Sequence, residues 1–153
     1  MRTSQVQIIM PAHVNGVNRL FGGQLMAWID MVAAVEARRH TRRHVTTAVV
    51  DNLKFLGPAF LDETVRLDAR VTWTGTTSLE VRVDSFVENL DGVERVINRA
   101  YLVFVALGED GKPTPVIPFV PVTEEENGEW KRAEERRKIR LAPPLPAPGK
   151  DPL

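Results

Sequence analysis

The chain has 153 residues, of which 43% are hydrophobic and 26% charged, a composition typical of one ordinary globular domain with a substantial core. Twenty basic residues balance 20 acidic residues, so no overall field attracts nucleic acid or a membrane surface. The lack of cysteine excludes disulfides, thiolate nucleophiles, zinc fingers and iron–sulfur clusters, and it is typical of a reducing cytoplasm. No apolar run approaches the ~18 residues of a membrane span, and the N-terminus does not resemble a signal peptide.

A short strand and a loop precede the best helix candidate. Residues 5–10 alternate before turning apolar, and Pro11 ends this run. From Gln24 to about Arg39 the chain has no Gly or Pro and is rich in Leu, Met, Ala and Glu, which predicts a helix. The helix is apolar on every face except for Asp30, so we expect other structure to surround it.

Four further strands follow the helix. Residues 45–56 are rich in β-branched side chains and end at a Gly-Pro pair. Residues 65–73 and 79–87 alternate apolar and polar, whereas residues 95–107 become apolar on both faces beyond Arg99, as in a central strand. An apolar helix combined with strands joined by tight turns predicts an α+β domain in which an antiparallel sheet curls around the helix.

Composition divides the chain into three parts. Residues 1–118 contain the predicted strands and the apolar helix. In residues 119–141, a capping box beginning at Thr123 and basic residues near the end predict a polar C-terminal helix. Residues 142–153 contain five prolines, and we expect them to be disordered or extended.

The carboxylate on the apolar helix is the sharpest chemical signal. Burial of an ionised carboxylate costs several kcal/mol unless it is compensated, so Asp30 is either a structural group held by backbone amides or a general base or nucleophile. The pair Gly22-Gly23 lies at the start of this helix, where unpaired N–H groups could stabilise an oxyanion. Alternatively, the two glycines only give the helix a flexible start. Gly23 and Asp30 lie about 10 Å apart along the helix axis. Asp30 therefore acts through a water molecule or comes from another subunit's helix.

Other polar residues allow two interpretations each. Asn15, before a glycine, is a turn residue or a site residue. His40 and His44 have a metal-binding spacing but no nearby third ligand, so we predict no metal site and interpret them as charge at a helix C-terminus. Arg42 and Arg43 belong to the densest basic patch, which suits either a phosphorylated ligand or a solvated helix end. Motifs for nucleotide hydrolysis, dinucleotide binding, serine hydrolysis and zinc proteolysis are absent from the sequence.

The order of these motifs points to one family. Residues 11–33 contain a Pro, a loop Asn, a Phe-Gly-Gly step and a helix Asp, and further similar segments are residues 45–51, 74–78, 103–107 and 121–126. This pattern resembles the hot-dog-fold acyl-CoA thioesterases, specifically the bacterial acyl-CoA hydrolases and the mammalian brain-type acyl-CoA hydrolase. The resemblance covers roughly residues 5–140.

The resemblance implies hydrolysis of a fatty acyl-CoA to a free acid and CoA, without a metal or redox cofactor. It also implies a homodimer, assembled further into a tetramer or hexamer, with active sites at the dimer interface. Asn15 and the pair Gly22 and Gly23 of one subunit would face Asp30 of the other. Asp30 would activate water or attack the carbonyl, Asn15 would orient the water or substrate, and a glycine N–H would bind the oxyanion. We also predict substrate contacts at Phe21, Arg42, Arg43, Thr47, Thr77 and Ser78.

Two other functions compete with hydrolysis. The first is a non-catalytic acyl-CoA-binding or sensing hot-dog domain, against which the intact Asn15, Gly22-Gly23 and Asp30 set argues. The second is hydration or dehydration of an acyl thioester, for which His13 is the only histidine near the loop.

Overall fold

The computed structural model describes residues 1–144, so the part of the predicted disordered tail at 145–153 lies outside the described residues. The strands are β1 (Thr3–Ile8), β2 (His44–Phe55), β3 (Thr64–Thr74), β4 (Ser78–Glu88) and β5 (Glu94–Leu107). The helices are α1 (Gly22–Thr41) and α2 (Glu124–Leu141), and a short 3-10 turn spans Pro11–His13. One compact unit spans Met1–Val120, and a second begins at Pro121.

The five strands form one sheet in the order β1-β3-β4-β5-β2, with every neighbouring pair antiparallel. Alternate side chains of β3, β4 and β5 pack against the buried side of α1, as the period-2 pattern predicts. The predicted α+β fold, with an antiparallel sheet around one long helix, is confirmed. β1 begins two residues before the predicted strand, because its pairing with β3 runs from Thr3 opposite Ala69 to Ile8 opposite Thr64.

Helix α1 is longer than predicted at both ends. The carbonyl of Phe21 accepts hydrogen bonds from the N–H groups of Gln24 and Leu25, so both glycines belong to the first turn. At the other end Arg42 adopts the left-handed conformation, with φ 57°, and its N–H donates to the Arg38 carbonyl. A helix often ends on such a left-handed residue, which is usually a glycine.

Within one chain the sheet covers only one side of α1. Leu25, Ile29 and Val32 are buried in the core, but Met26 is 43% exposed and Met31 57% exposed. Strand β2 is an edge strand whose apolar side chains are also largely exposed. The expectation that other structure surrounds the whole helix is therefore not met by a single chain.

Helix α2 begins as its sequence predicts. The hydroxyl of Thr123 accepts a hydrogen bond from the Glu126 N–H, and the Glu126 carboxylate accepts one from the Thr123 N–H. This reciprocal capping box satisfies two of the N–H groups that a helix start leaves unpaired. Further along, Glu129 forms ion pairs with Arg132 and Arg136.

Candidate active site

The carboxylate of Asp30 is held by a side chain from the neighbouring strand. Asp30 is half-buried on α1, and the hydroxyl of Thr47 on β2 donates a 2.7 Å hydrogen bond to its Oδ1. Within residues 1–144 the Oδ2 atom accepts no hydrogen bond, and no backbone N–H donates to either oxygen. One oxygen of Asp30 is thus fixed in position, and the other has no hydrogen-bond partner among the described residues.

The start of α1 carries two unpaired backbone donors. The N–H groups of Gly22 and Gly23 donate to no acceptor among the described residues. A Cβ atom at Gly23 would lie 2.6 Å from Cε1 of Phe21, whose exposed ring covers this turn. Glycine is therefore required at this position for the close approach of the Phe21 ring.

The loop before the helix is organised by Asn15. Its Oδ1 accepts hydrogen bonds from the N–H groups of Val17, at 3.1 Å, and Arg19, at 3.2 Å, as a turn-forming asparagine does. Its side-chain NH₂ donates to no described residue. Asn15 therefore holds the turn with its oxygen and keeps its amide nitrogen available for a ligand.

Asn15 and Gly22 line an open cavity of about 420 Å³, which we call the acyl cavity. Most of its other lining side chains are apolar: Leu20, Leu25, Phe55, Leu56, Pro58, Ala59 and Ile97. This size and this mainly apolar wall are typical of small-molecule sites. Asp30 does not line the cavity, in keeping with its distance from the helix start. The sequence alone did not predict that Phe55, at the end of β2, and the following loop contribute to this wall.

A second cavity, of about 430 Å³, contains the predicted basic cluster. It is lined by Arg38, Arg42, Arg43, His44 and the segment from Leu107 to Glu109 at the end of β5. The guanidinium groups of Arg42 and Arg43 form no ion pair with any described residue. We call this region the basic cavity.

The other predicted residues lie elsewhere. The carbonyls of Thr77 and Ser78 accept hydrogen bonds from Ala106 and Gly75, which holds the β3–β4 turn, and neither residue lines the acyl or the basic cavity. The ring of His40 bonds to the Ile117 carbonyl at 2.7 Å, away from His44.

The remaining histidine is bound within its own turn. The Nδ1 atom of His13 accepts a hydrogen bond from the Met10 N–H, and its ring packs edge-on against Trp28. Within residues 1–144, no three His, Asp or Glu residues are grouped so that they would hold a metal ion. In the same part of the chain, neither helix has the length and apolar character needed to cross a membrane.

Residues 18–93 match the thioesterase superfamily. The chain is 43% identical over 142 residues to a Bacillus subtilis protein named as the uncharacterized acyl-CoA thioester hydrolase YkhA, covering 90% of this chain and 81% of that protein. It is 32% identical to mouse acyl-coenzyme A thioesterase 11 over 92% of this chain, but it spans only 24% of that protein.

Solved structures agree with these matches. An apo-hexameric acyl-CoA thioesterase superposes with a TM-score of 0.87 at 36% identity, covering 91% of this chain and 90% of the other. The Staphylococcus aureus acyl-CoA hydrolase, solved with butyryl coenzyme A and coenzyme A, gives 0.85 at 31% identity, with 91% and 85% covered. The fold and these matches define a thioesterase of the hot-dog class. More narrowly, the chain belongs to the acyl-CoA thioester hydrolases.

Proposed function

We propose that the protein hydrolyses fatty acyl-CoA thioesters to free acid and CoA at a site shared between two copies of the chain. The observation that carries this proposal is Asp30, which has one oxygen fixed by Thr47 and the other without a described partner, on a helix whose exposed side chains include Met26 and Met31. The hydrolase activity follows from family membership. The comparisons give no support to a non-catalytic binding domain.

The geometry favours a composite site. In one chain, the N–H groups of Gly22 and Gly23 and the unpaired oxygen of Asp30 lie about 10 Å apart along the helix. One thioester cannot reach both. A second copy that packs on the exposed face of α1 and the edge of β2 would bring its own Asp30 to the helix start and bury Met26 and Met31. Relatives described as hexameric support assembly into more than one dimer.

In the proposed reaction, the thioester carbonyl accepts hydrogen bonds from the free N–H groups of Gly22 and Gly23, which stabilise the oxyanion. The Asp30 carboxylate of the partner accepts a proton from a water molecule as that water attacks the carbonyl carbon. The C–S bond then breaks, and the CoA thiolate takes up the proton. Asn15 donates from its free amide nitrogen to the water or the substrate. Direct attack by Asp30 on the carbonyl is the alternative route.

The spacing of these residues supports the assignment. The Staphylococcus aureus hydrolase was solved with an asparagine, an aspartate and a threonine each replaced by alanine. In that enzyme the aspartate follows the asparagine by 15 residues, and the threonine follows the aspartate by 17. Asn15, Asp30 and Thr47 have the same two spacings in this chain.

The test is release of free thiol from a series of acyl-CoA substrates of increasing chain length. Asp30→Asn keeps the shape of the side chain but removes the base, so we expect kcat to fall by about 100-fold or more with a much smaller change in KM. Asp62→Asn is the matched control, because Asp62 is exposed and its left-handed φ suits asparagine. Near-normal turnover by Asp30→Asn would contradict the role of Asp30.

We further propose that the basic cavity binds the phosphates of CoA. Arg42 follows Asp30 by twelve residues, about 18 Å along a helix. The extended pantetheine arm has about as many bonds as four residues and spans about 15 Å. A thioester at Asp30 therefore places the pyrophosphate near Arg42 and Arg43.

Arg43→Ala should raise KM for acyl-CoA several-fold, weaken its dependence on salt and leave kcat nearly unchanged, because phosphate binding is remote from the reacting carbon. An acyl-pantetheine, which lacks the phosphates, should be hydrolysed equally by Arg43→Ala and wild type. Lys131→Ala removes a positive charge from an exposed position on α2 and is the control. If Arg43→Ala raised KM equally for acyl-CoA and acyl-pantetheine, phosphate recognition by Arg43 would be excluded.

The reaction as proposed needs only a carboxylate, water and backbone donors, so we propose that it uses no metal or redox cofactor. Turnover should be unchanged after dialysis against a chelator. A cytoplasmic location stays a prediction from the cysteine-free composition. Phe21 is proposed as a substrate contact because its ring covers Gly23. The predicted contacts at Thr77 and Ser78 have no support from either cavity and remain predictions.

A further inference from the structure

Two polar side chains are buried in the sheet next to the acyl cavity without complete hydrogen bonding. Ser85 on β4 and Asn98 on β5 are directly opposite each other in the strand register, and both are 0% exposed. The amide nitrogen of Asn98 donates a 2.6 Å hydrogen bond to the Lys54 carbonyl. Neither Oδ1 of Asn98 nor Oγ of Ser85 has a partner. Such groups are rare in proteins, because burial of an unpaired polar atom is unfavourable.

The pair lies one residue beyond the wall of the acyl cavity. On β2, the register partner of Asn98 is Phe55, and Phe55 lines the cavity. Ile97, next to Asn98 in the chain, lines it as well. Phe55 is 54% exposed, and its ring lies over Gly22 at the helix start. Because Asn98 and Ser85 are fully buried, a ligand in the cavity reaches them only after a side chain of the wall moves, and the exposed ring of Phe55 is the neighbour with room to do so.

A purely structural role explains the Asn98 amide nitrogen but not the two unpaired oxygens of Ser85 and Asn98. The bond from Asn98 to Lys54 supports β2 where its register with β5 shifts, but it uses only the nitrogen of the amide. The hydroxyl of Ser85 forms no hydrogen bond with any described residue and so does not contribute to that support. The other inward-facing positions of β4 are aliphatic and buried: Leu79, Val81, Val83 and Val87. An aliphatic residue at position 85 would fit this pattern and would avoid an unpaired hydroxyl.

The two free atoms are complementary to a hydroxyl group. The Oδ1 atom of Asn98, like any amide oxygen, can only accept a hydrogen bond, and the bond from Nδ2 to the Lys54 carbonyl fixes the orientation of the amide. The Ser85 hydroxyl can donate one. A ligand hydroxyl can donate to Asn98 and accept from Ser85 at the same time, whereas a methylene at this depth satisfies neither atom.

We propose that Ser85 and Asn98 form a subsite for a hydroxyl on the acyl chain, so that hydroxyacyl-CoA thioesters are preferred over unsubstituted ones of the same length. This inference rests on the proposed function, since the acyl chain must enter the cavity beside Gly22. It names the substrate class of that site.

The test compares matched substrates. Straight-chain acyl-CoA thioesters of several lengths are each paired with versions that carry one hydroxyl at the 3-position, in mid-chain or at the terminal carbon. For one position of the hydroxyl, we expect wild-type kcat/KM to exceed that of the unsubstituted partner by about tenfold or more. Ser85→Ala should abolish this preference while it leaves turnover of the unsubstituted substrate nearly unchanged.

A matched pair of variants separates hydrogen bonding from shape. Ser85→Thr keeps the hydroxyl and Ser85→Val has nearly the same shape without it, so only Ser85→Thr should retain the preference. Thermal unfolding verifies that each variant is folded. Equal kcat/KM for every substrate pair in the wild type would show that the subsite holds only water and would overturn the inference, with hydrolysis still standing. A preference that persists in Ser85→Ala would overturn it too. Absence of turnover on every thioester would instead overturn the proposed function and this inference together.

Discussion

Among single residues, the clearest electrostatic pair links β3 to β5 across β4. Arg66 donates two hydrogen bonds to the Glu94 carboxylate, at 2.9 and 2.7 Å, and its guanidinium lies over the ring of Phe86, which stands between them. The hydrogen bonds from Arg66 lower the pKa of Glu94 and raise the pKa of Arg66, because each favours the charged form of the other. The contribution of this pair to the free energy of unfolding therefore depends on pH.

Because the pKa of Glu94 is lowered in the folded state, the pair stabilises the fold above the ordinary value of 4.5 and loses this contribution as the pH falls through the lowered pKa. Wild type should therefore have a higher Tm than Glu94→Gln at neutral pH, and the difference should shrink below that value. Thermal unfolding over a pH series measures it, with Arg66→Gln as the partner variant. A difference that is constant into strong acid would show that the charge of Glu94 is not responsible.

The sequence could predict which residues belong to the candidate site better than it could predict the hydrogen bonds between them. Asp30 stood out because it is the single charge on an apolar stretch, and Asn15 and the glycines because of their turn chemistry. The bond between Thr47 and Asp30 was not predictable, since it depends on how β2 lies beside α1 and on the register shift after Thr47. The hydroxyl of Thr47 orients Asp30, and the predicted contact of Thr47 with substrate stays a prediction.

At the level of secondary structure, the first turn of α1 combines stability with function. Gly23→Ala should leave the helix intact and add up to about 1 kcal/mol from helix propensity. The new Cβ would lie 2.6 Å from Cε1 of Phe21, so the exposed ring must move. Because the ring packs against the turn that carries the proposed oxyanion donors, its displacement should lower kcat/KM by about tenfold or more while Tm stays the same or rises.

Gly128→Ala on α2 is the control for this prediction. Its Cβ would meet only the flexible guanidinium of Arg132, at 3.3 Å, so it tests the gain from helix propensity alone. Tm should rise slightly and kcat/KM should not change. Full activity in Gly23→Ala would contradict the proposed role of the turn, whereas a large loss of Tm would show that the Phe21 ring cannot move.

The elements themselves were largely predictable, because their signals are local. Period-2 alternation located β3 and β4, and Thr123 with Glu126 located the start of α2. The ends of α1 were not predictable. The pair Gly22-Gly23 is typical of a loop, and the left-handed residue at the C-terminus is an arginine and not the usual glycine. The acyl cavity was missed because its wall joins the helix start to β2 and β5, which no short stretch of sequence reveals.

For the whole molecule, the exposed apolar surface determines which residues of two copies can meet. The single chain leaves an apolar surface that includes Met26, Met31, Val50 and Phe55, with Asp30 among them. A surface of this kind is normally covered by another subunit. If two copies pack here, the Asn15 of one chain and the Asp30 of the other form one site, and each dimer has two such sites.

This arrangement predicts complementation between two inactive variants. Asn15→Asp keeps the oxygen that holds the turn to Val17 and Arg19 but removes the amide donor, and Asp30→Asn removes the base. In a mixed dimer, one site contains both substitutions and the other contains neither. Random pairing of the two chains, achieved by co-expression, should therefore restore about a quarter of wild-type activity.

The matched control is co-expression of Asp30→Asn with Asp30→Ala, in which no site regains the carboxylate and activity should stay at the level of the parents. A different affinity tag on each variant, followed by sequential capture on both tags, verifies that mixed dimers form. If the Asn15→Asp and Asp30→Asn mixture gives no more activity than its parents although mixed dimers form, then Asn15 and Asp30 act within one chain. In that case the water-mediated alternative, in which Asp30 reaches its own helix start through solvent, is the correct description of the site.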